Sequence, residues 1–177
     1  MKYDRFKDIP EFTSWGSYHC NVGWGFIEQQ LESMASPDGI DLDPDFQRGH
    51  VWNEEQQIRY VEFILRGGKS SRDILFNAPG WACNPPENPS PVVLVDGKQR
   101  IEAVRRFMRN EIPAFGNLLR DYKDKIRIIG PDFVFHVNNL TSRAEVLQWY
   151  LDLNAGGVVH TAEEIEKVRG MLKEAGV

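Results

Sequence analysis

Hydrophobic and polar positions along this chain change their spacing several times, and each change marks an element. Apolar residues at helical intervals predict a helix over 23–34. A short strand follows at 40–42 and stops at Pro44. Asn53 is placed to cap a helix running to Leu65, with Ile58, Val61 and Leu65 on one face and Gly67-Gly68 ending it. Strand-like runs at 73–77 and 92–95 bracket a stretch, 79–91, that holds five of the ten prolines and reads as a loop. A helix over 98–109 turns Ile101, Val104 and Met108 inward. Alternation returns at 133–137 as a strand. Helices are predicted over 145–153 and 162–172, the second with a Thr161/Glu164 capping box. Strands with interposed helices predict an α+β or α/β domain, a small mixed sheet covered by helices.

Composition narrows this only a little. A length of 177 residues fits one domain over 1–177. With 41% hydrophobic and 27% charged residues the chain is ordinary for a folded protein. At this size about 70% of the unfolded surface is buried, so neither disulfides nor a metal is needed to fold. Cys20 and Cys83 show no CxxC or zinc-ligand spacing, which predicts a reduced, cytoplasmic setting. The longest apolar run, Val92 to Val95, is far short of a membrane span, and 1–10 lacks the apolar core of a signal peptide. A net charge of −5 argues against a non-specific nucleic-acid coat and leaves room for a local basic site. The histidines at 19, 50, 136 and 160 form no metal-binding or HNH-nuclease pattern.

The most informative stretch runs from Val92 to Arg100: an apolar strand ends at Asp96, Gly97 makes the turn, and a helix opens with Lys98, Gln99 and Arg100. Free N–H groups at a helix start attract anions, and a glycine there lets a ligand approach the backbone. Lys98 and Arg100 add positive charge, and Asp96 is placed to hold Mg²⁺ or to accept a proton. The same stretch also reads as a plain strand–turn–helix with Asp96 as its cap. In helical projection Arg100 falls inside the apolar arc, between Val104 and Phe107, so it requires a partner: a ligand's phosphate or carboxylate, or a structural ion pair.

A second group is Phe46-Gln47-Arg48-Gly49-His50-Val51-Trp52, in which Arg48 is a candidate clamp for phosphate or carboxylate. Asp41, Asp43 and Asp45 do not make a calcium loop, because Phe46 stands where glycine is needed and Pro44 interrupts the turn; their carboxylates are expected to face solvent. Asn154-Ala155-Gly156-Gly157 reads as a helix end. Arg105, Arg106 and Arg109 form a basic helix face, either solvated or in contact with DNA phosphates. The five tryptophans read as packing residues.

Taken together, PDFQRGHVW followed by EEQQIRYVEFIL, then VVLVDGKQR, then YLDLNAGGVVHTAEEI resemble the DGQQR-motif domain. That family has a ParB/sulfiredoxin-like fold and forms the N-terminal part of GmrSD-type modification-dependent restriction enzymes and SspE-type phosphorothioate-sensing defence proteins. The resemblance covers roughly 22–168. It implies binding of a nucleoside triphosphate (ATP or GTP) with Mg²⁺, and phosphoryl transfer linked to DNA or DNA-modification recognition. Carried over by position, it points to Phe46, Gln47, Arg48, Asp96, Gly97, Gln99, Arg100 and Asn154, with Gln99 orienting the attacking water or hydroxyl.

Two positions depart from the family pattern. Lys98 replaces the first glutamine of the motif and adds charge, and His160 replaces a leucine. With no HNH nuclease domain in this sequence, the resemblance implies the nucleotide-handling part alone. Neither cysteine lies in a phosphate loop, which disfavours sulfiredoxin chemistry. Relatives of the fold include free-serine kinases and predicted phage DNA-base kinases. The alternatives to an NTPase are therefore a kinase acting on a hydroxyl of a modified DNA base or small molecule, and a nucleotide- or DNA-sensing module.

Overall fold

The computed structural model describes residues 3–14, 16, 18–47, 49, 51–79, 81, 90–124, 131–155 and 162–175. Its centre is a five-stranded sheet of strands β1 (Tyr18–Gly23), β2 (Ile40–Asp41), β3 (Asp73–Asn77), β4 (Val92–Asp96) and β5 (Asp132–Asn138), in the order β1-β5-β3-β4-β2. Pairing is mixed: β1·β5 and β3·β4 are antiparallel, and β5·β3 and β2·β4 are parallel. Five helices accompany it: α1 (Ile27–Met34), α2 (Glu54–Leu65), α3 (Lys98–Met108), α4 (Arg143–Asn154) and α5 (Ala162–Glu174). The chain is an α+β domain.

The period-2 alternation of the strands sorts apolar side chains between two cores. Ile74 and Phe76 of β3 and Val92 and Leu94 of β4 join the larger core, with Phe133, Phe135, Val137 and residues of α1, α2 and α3. Leu75 and Val95 point the other way and meet Phe46, Val146, Leu147, Trp149, Tyr150 and Val168. The sheet is thus packed between α1–α3 on one face and α4–α5 on the other.

Most predicted elements are present, with shifted edges. Asn53 caps α2 through a capping box with Gln56, but the buried face carries Gln57, Tyr60, Val61 and Ile64, one position round from that predicted. The helix predicted over 23–34 begins as a 3-10 turn at Trp24–Phe26. Strand β1 is not among the predicted elements: Tyr18, Cys20 and Val22 do alternate as in a strand, but the run is short and its partner β5 lies far along the chain. The helix predicted over 145–153 starts earlier, at Arg143, with Ser142 and Glu145 forming its capping box. Most of the predicted 79–91 loop, and Thr161 of the proposed α5 capping box, lie outside the described residues. Among those described, no helix is long and apolar enough to cross a membrane.

Candidate functional site

Strand β4 ends at Asp96, and α3 begins two residues later, after Gly97. Gly97 has φ +106°, in the left-handed region, and a Cβ there would stand 2.5 Å from Ile74 Cδ1 and 3.3 Å from Ile74 Cα. Glycine therefore allows the turn and also allows the start of α3 to sit against the start of β3. No side chain caps the helix at Gly97.

At this turn lies a cleft of about 300 Å³, lined by Gln47, Trp52, Tyr60, Ser71, Tyr150 and residues 95–100. Two aromatic pairs form its walls. Trp52 and Tyr60 meet at 5.3 Å between ring centroids, and Tyr150 is braced by Phe46 at 5.2 Å. Burial pushes the Tyr60 phenol far above its ordinary range, with the charges of Arg100 and Arg72 opposing it. The phenol therefore stays protonated and donates to the Ser71 carbonyl at 2.7 Å.

Two cations of the helix start are held by acids at the rim. Lys98 pairs with Asp43, whose side chain is 75% exposed, and Arg100 pairs with Asp96, which is 53% exposed. Arg100 itself is only 19% exposed, and its Nε–H is buried with no acceptor. Arg72 Nε and the indoles of Trp24 and Trp149 are likewise without a partner among the described residues, but Arg100 lines an open cleft, where a ligand or solvent acceptor can reach it. Exposed carboxylates exchange readily for another anion, since an ion pair at a wetted surface contributes under about 1 kcal/mol. Asp96 is the one carboxylate among the described lining residues, a donor set in keeping with Mg²⁺, which takes one or two carboxylates plus substrate oxygens.

The other candidates take different places. Gln99 Oε1 accepts from the backbone N–H groups of Val51 and Trp52, both at 3.1 Å, and Nε2 donates to the Gly49 carbonyl at 3.3 Å. That amide holds Gly49, Val51 and Trp52 against the helix start, so in this structure it positions a cleft wall. Gln47 donates to the Leu94 carbonyl. Phe46 is 5% exposed and acts as core behind Tyr150. Asn154 donates to the Tyr150 carbonyl at 2.6 Å, one turn from the cleft. Arg48 lies outside the described residues. Asp43 and Asp45 are exposed as expected but not unpartnered: Asp45 takes Arg143 at 2.9 Å.

The basic face of α3 is the clear correction. Arg105 grips Glu28 of α1 through two bonds at 2.7 and 3.1 Å, and Arg109 reaches the same carboxylate at 3.0 Å. Arg106 bonds Glu54 at 2.9 Å and Gln57 at 2.6 Å, both on α2. These arginines join three helices, so the face is tied into the fold and not simply solvated. Sequence spacing shows that they share a face, but not that acids from α1 and α2 meet it. Trp52, Tyr60, Ser71 and Tyr150 were not singled out by the sequence, because they converge from four separate segments. No protein-family model matches the chain, and no curated protein or solved structure matches it.

Proposed function

We propose that this cleft binds a nucleoside triphosphate, ATP or GTP, and transfers or hydrolyses its terminal phosphate, as a domain of ParB/sulfiredoxin-like type. The observation that carries the reading is Arg100: largely buried at an uncapped helix start, with one N–H that finds no acceptor among the described residues and an exposed carboxylate, Asp96, as its partner. Phosphate oxygens satisfy a guanidinium fork two at a time. Lys98 supplies a second charge, and together they neutralise the charge that develops on the transferred group. Asp96, released from Arg100, would then hold Mg²⁺, which would supply positive charge against the phosphates. Trp52, Tyr60 and Tyr150 offer apolar faces to a base. DNA contact through α3 is not part of the reading.

The test pairs turnover with stability. Binding of ATP and GTP with Mg²⁺ is followed by tryptophan fluorescence, and phosphate release by a coupled assay. Arg100→Lys keeps the charge and loses the fork, so turnover should fall by about 10- to 1000-fold, at ~1.4 kcal/mol per decade. Arg100→Met should unfold close to the wild-type midpoint, because the ion pair it removes is half-exposed. An Arg100→Met variant that melts far below wild type, beside a fully active Arg100→Lys, would assign the arginine to the fold and end this reading. Phosphate released without acceptor marks an NTPase, and label passed to an added hydroxyl compound marks a kinase. Tight binding without turnover marks a sensing module.

A further inference from the structure

Between α2 and β3 the chain runs Arg66-Gly67-Gly68-Lys69-Ser70-Ser71-Arg72, and its Ser71 lines the same cleft as Asp96, Gly97 and Arg100. Ser71 has φ +58°, in the left-handed region that serine rarely adopts. Backbone in that state persists only where its surroundings hold it. Here the hold is visible, because the buried Tyr60 hydroxyl donates to the Ser71 carbonyl at 2.7 Å. The side chain is treated differently: Ser71 is exposed, and among the described residues nothing hydrogen-bonds its Oγ. Ser71 thus lines the cleft with a pinned carbonyl, a strained turn and an unengaged hydroxyl, a combination also found where a nucleophile sits on a sharp turn in hydrolytic enzymes.

The far wall is close by. Leu75 of β3 pairs with Asp96, and Gly97 lies against Ile74, three positions beyond Ser71. Tyr60, which holds Ser71, feels the charges of both Arg72 and Arg100. Arg72 is already paired with Asp132, so Arg100, which lines the same cleft, is the cation placed to offset a phosphate at Ser71.

We propose that Ser71 is a phosphoryl acceptor of this site, so that the protein phosphorylates itself there. This rests on the nucleotide reading above. Ser71 Oγ bonds to the γ-phosphorus, and the bond from that phosphorus to the β–γ bridging oxygen breaks. Its electron pair leaves with the nucleoside diphosphate, and the hydroxyl proton passes to solvent water, which reaches the exposed Ser71.

The experiment incubates the full chain with Mg²⁺ and γ-labelled ATP or GTP, maps the label by peptide mass spectrometry, and measures nucleotide binding and phosphate release in parallel. Label is expected on Ser71. Ser70→Ala should keep it. Ser71→Gly should lose it while raising the unfolding midpoint, since glycine adopts the left-handed conformation without strain. Loss of label therefore cannot come from unfolding in that variant. Label on another residue, or none on a wild-type protein that binds nucleotide and releases phosphate, overturns the proposal and leaves the nucleotide reading standing. Failure of either nucleotide to bind overturns both.

Discussion

At the scale of single residues, the cleft is defined by where small changes meet rigid atoms. Gly97 is the clearest case. Alanine there must adopt a left-handed conformation, at about 1–2 kcal/mol, and its Cβ would press on Ile74. Ile74 Cδ1 can swing aside, but Ile74 Cα belongs to a central strand and cannot. Gly97→Ala should therefore destabilise the fold by about 2 kcal/mol and move the start of α3. Denaturant titration would detect the first effect, and the chemical shifts of the 98–100 amides the second. Arg100 and Arg105 show how two arginines on one helix part ways. Arg105 has two bonds to a carboxylate of another helix, whereas Arg100 keeps an N–H with nothing to accept it.

At the scale of elements, α3 is fastened on both flanks, and one of those fastenings is sensitive to acid. The Arg105 hydrogen bond holds the Glu28 carboxyl below its ordinary range against the opposing effect of burial, and the charges of Arg105 and Arg109 lower it further. A carboxyl depressed in the folded state contributes stability above its unfolded value, and the contribution is lost as the pH falls through the folded value. Glu28→Gln should accordingly cost up to about 1 kcal/mol at neutral pH, and the difference from wild type should shrink under acid. Thermal melts of both proteins across the acid range would reveal a gap that fails to close.

Helices α2 and α3 and the β4–Gly97 turn were legible in the sequence because their signals are local: a capping asparagine, a double glycine, an apolar strand meeting a turn. Strand β1 and the partners of Arg105, Arg106 and Arg109 were not, because each depends on residues brought from distant parts of the chain. The cleft was half legible. Its floor is one continuous motif, but its aromatic walls come from the 49–52 segment, α2 and α4, and no spacing rule joins those. Gln99 is the instructive residue, since the sequence marks it while only its three backbone bonds show what it does.

At the scale of the whole molecule, two cores lie back to back across one sheet, and the candidate site sits where β4 leaves it for α3. Helix α4 packs on the second core and supplies Tyr150, so that core and the cleft share a wall. The order β1-β5-β3-β4-β2 also dictates a history. Tyr18 finds its partner in Val137, and β3 has β5 as one of its two neighbours, so the sheet's first strand waits for the last of those described. Emerging from a ribosome, the chain up to Asp124 holds β1 and the β3–β4 pair with no described strand between them. Long-range closure of this kind is slow and leaves pairing edges open meanwhile. A chain ended after Asp124, before β5, should show no cooperative unfolding transition, whereas a sheet able to assemble without β5 would give one. The birth of the protein is thus its most exposed moment, and the strand that ends that exposure is the one between the two halves.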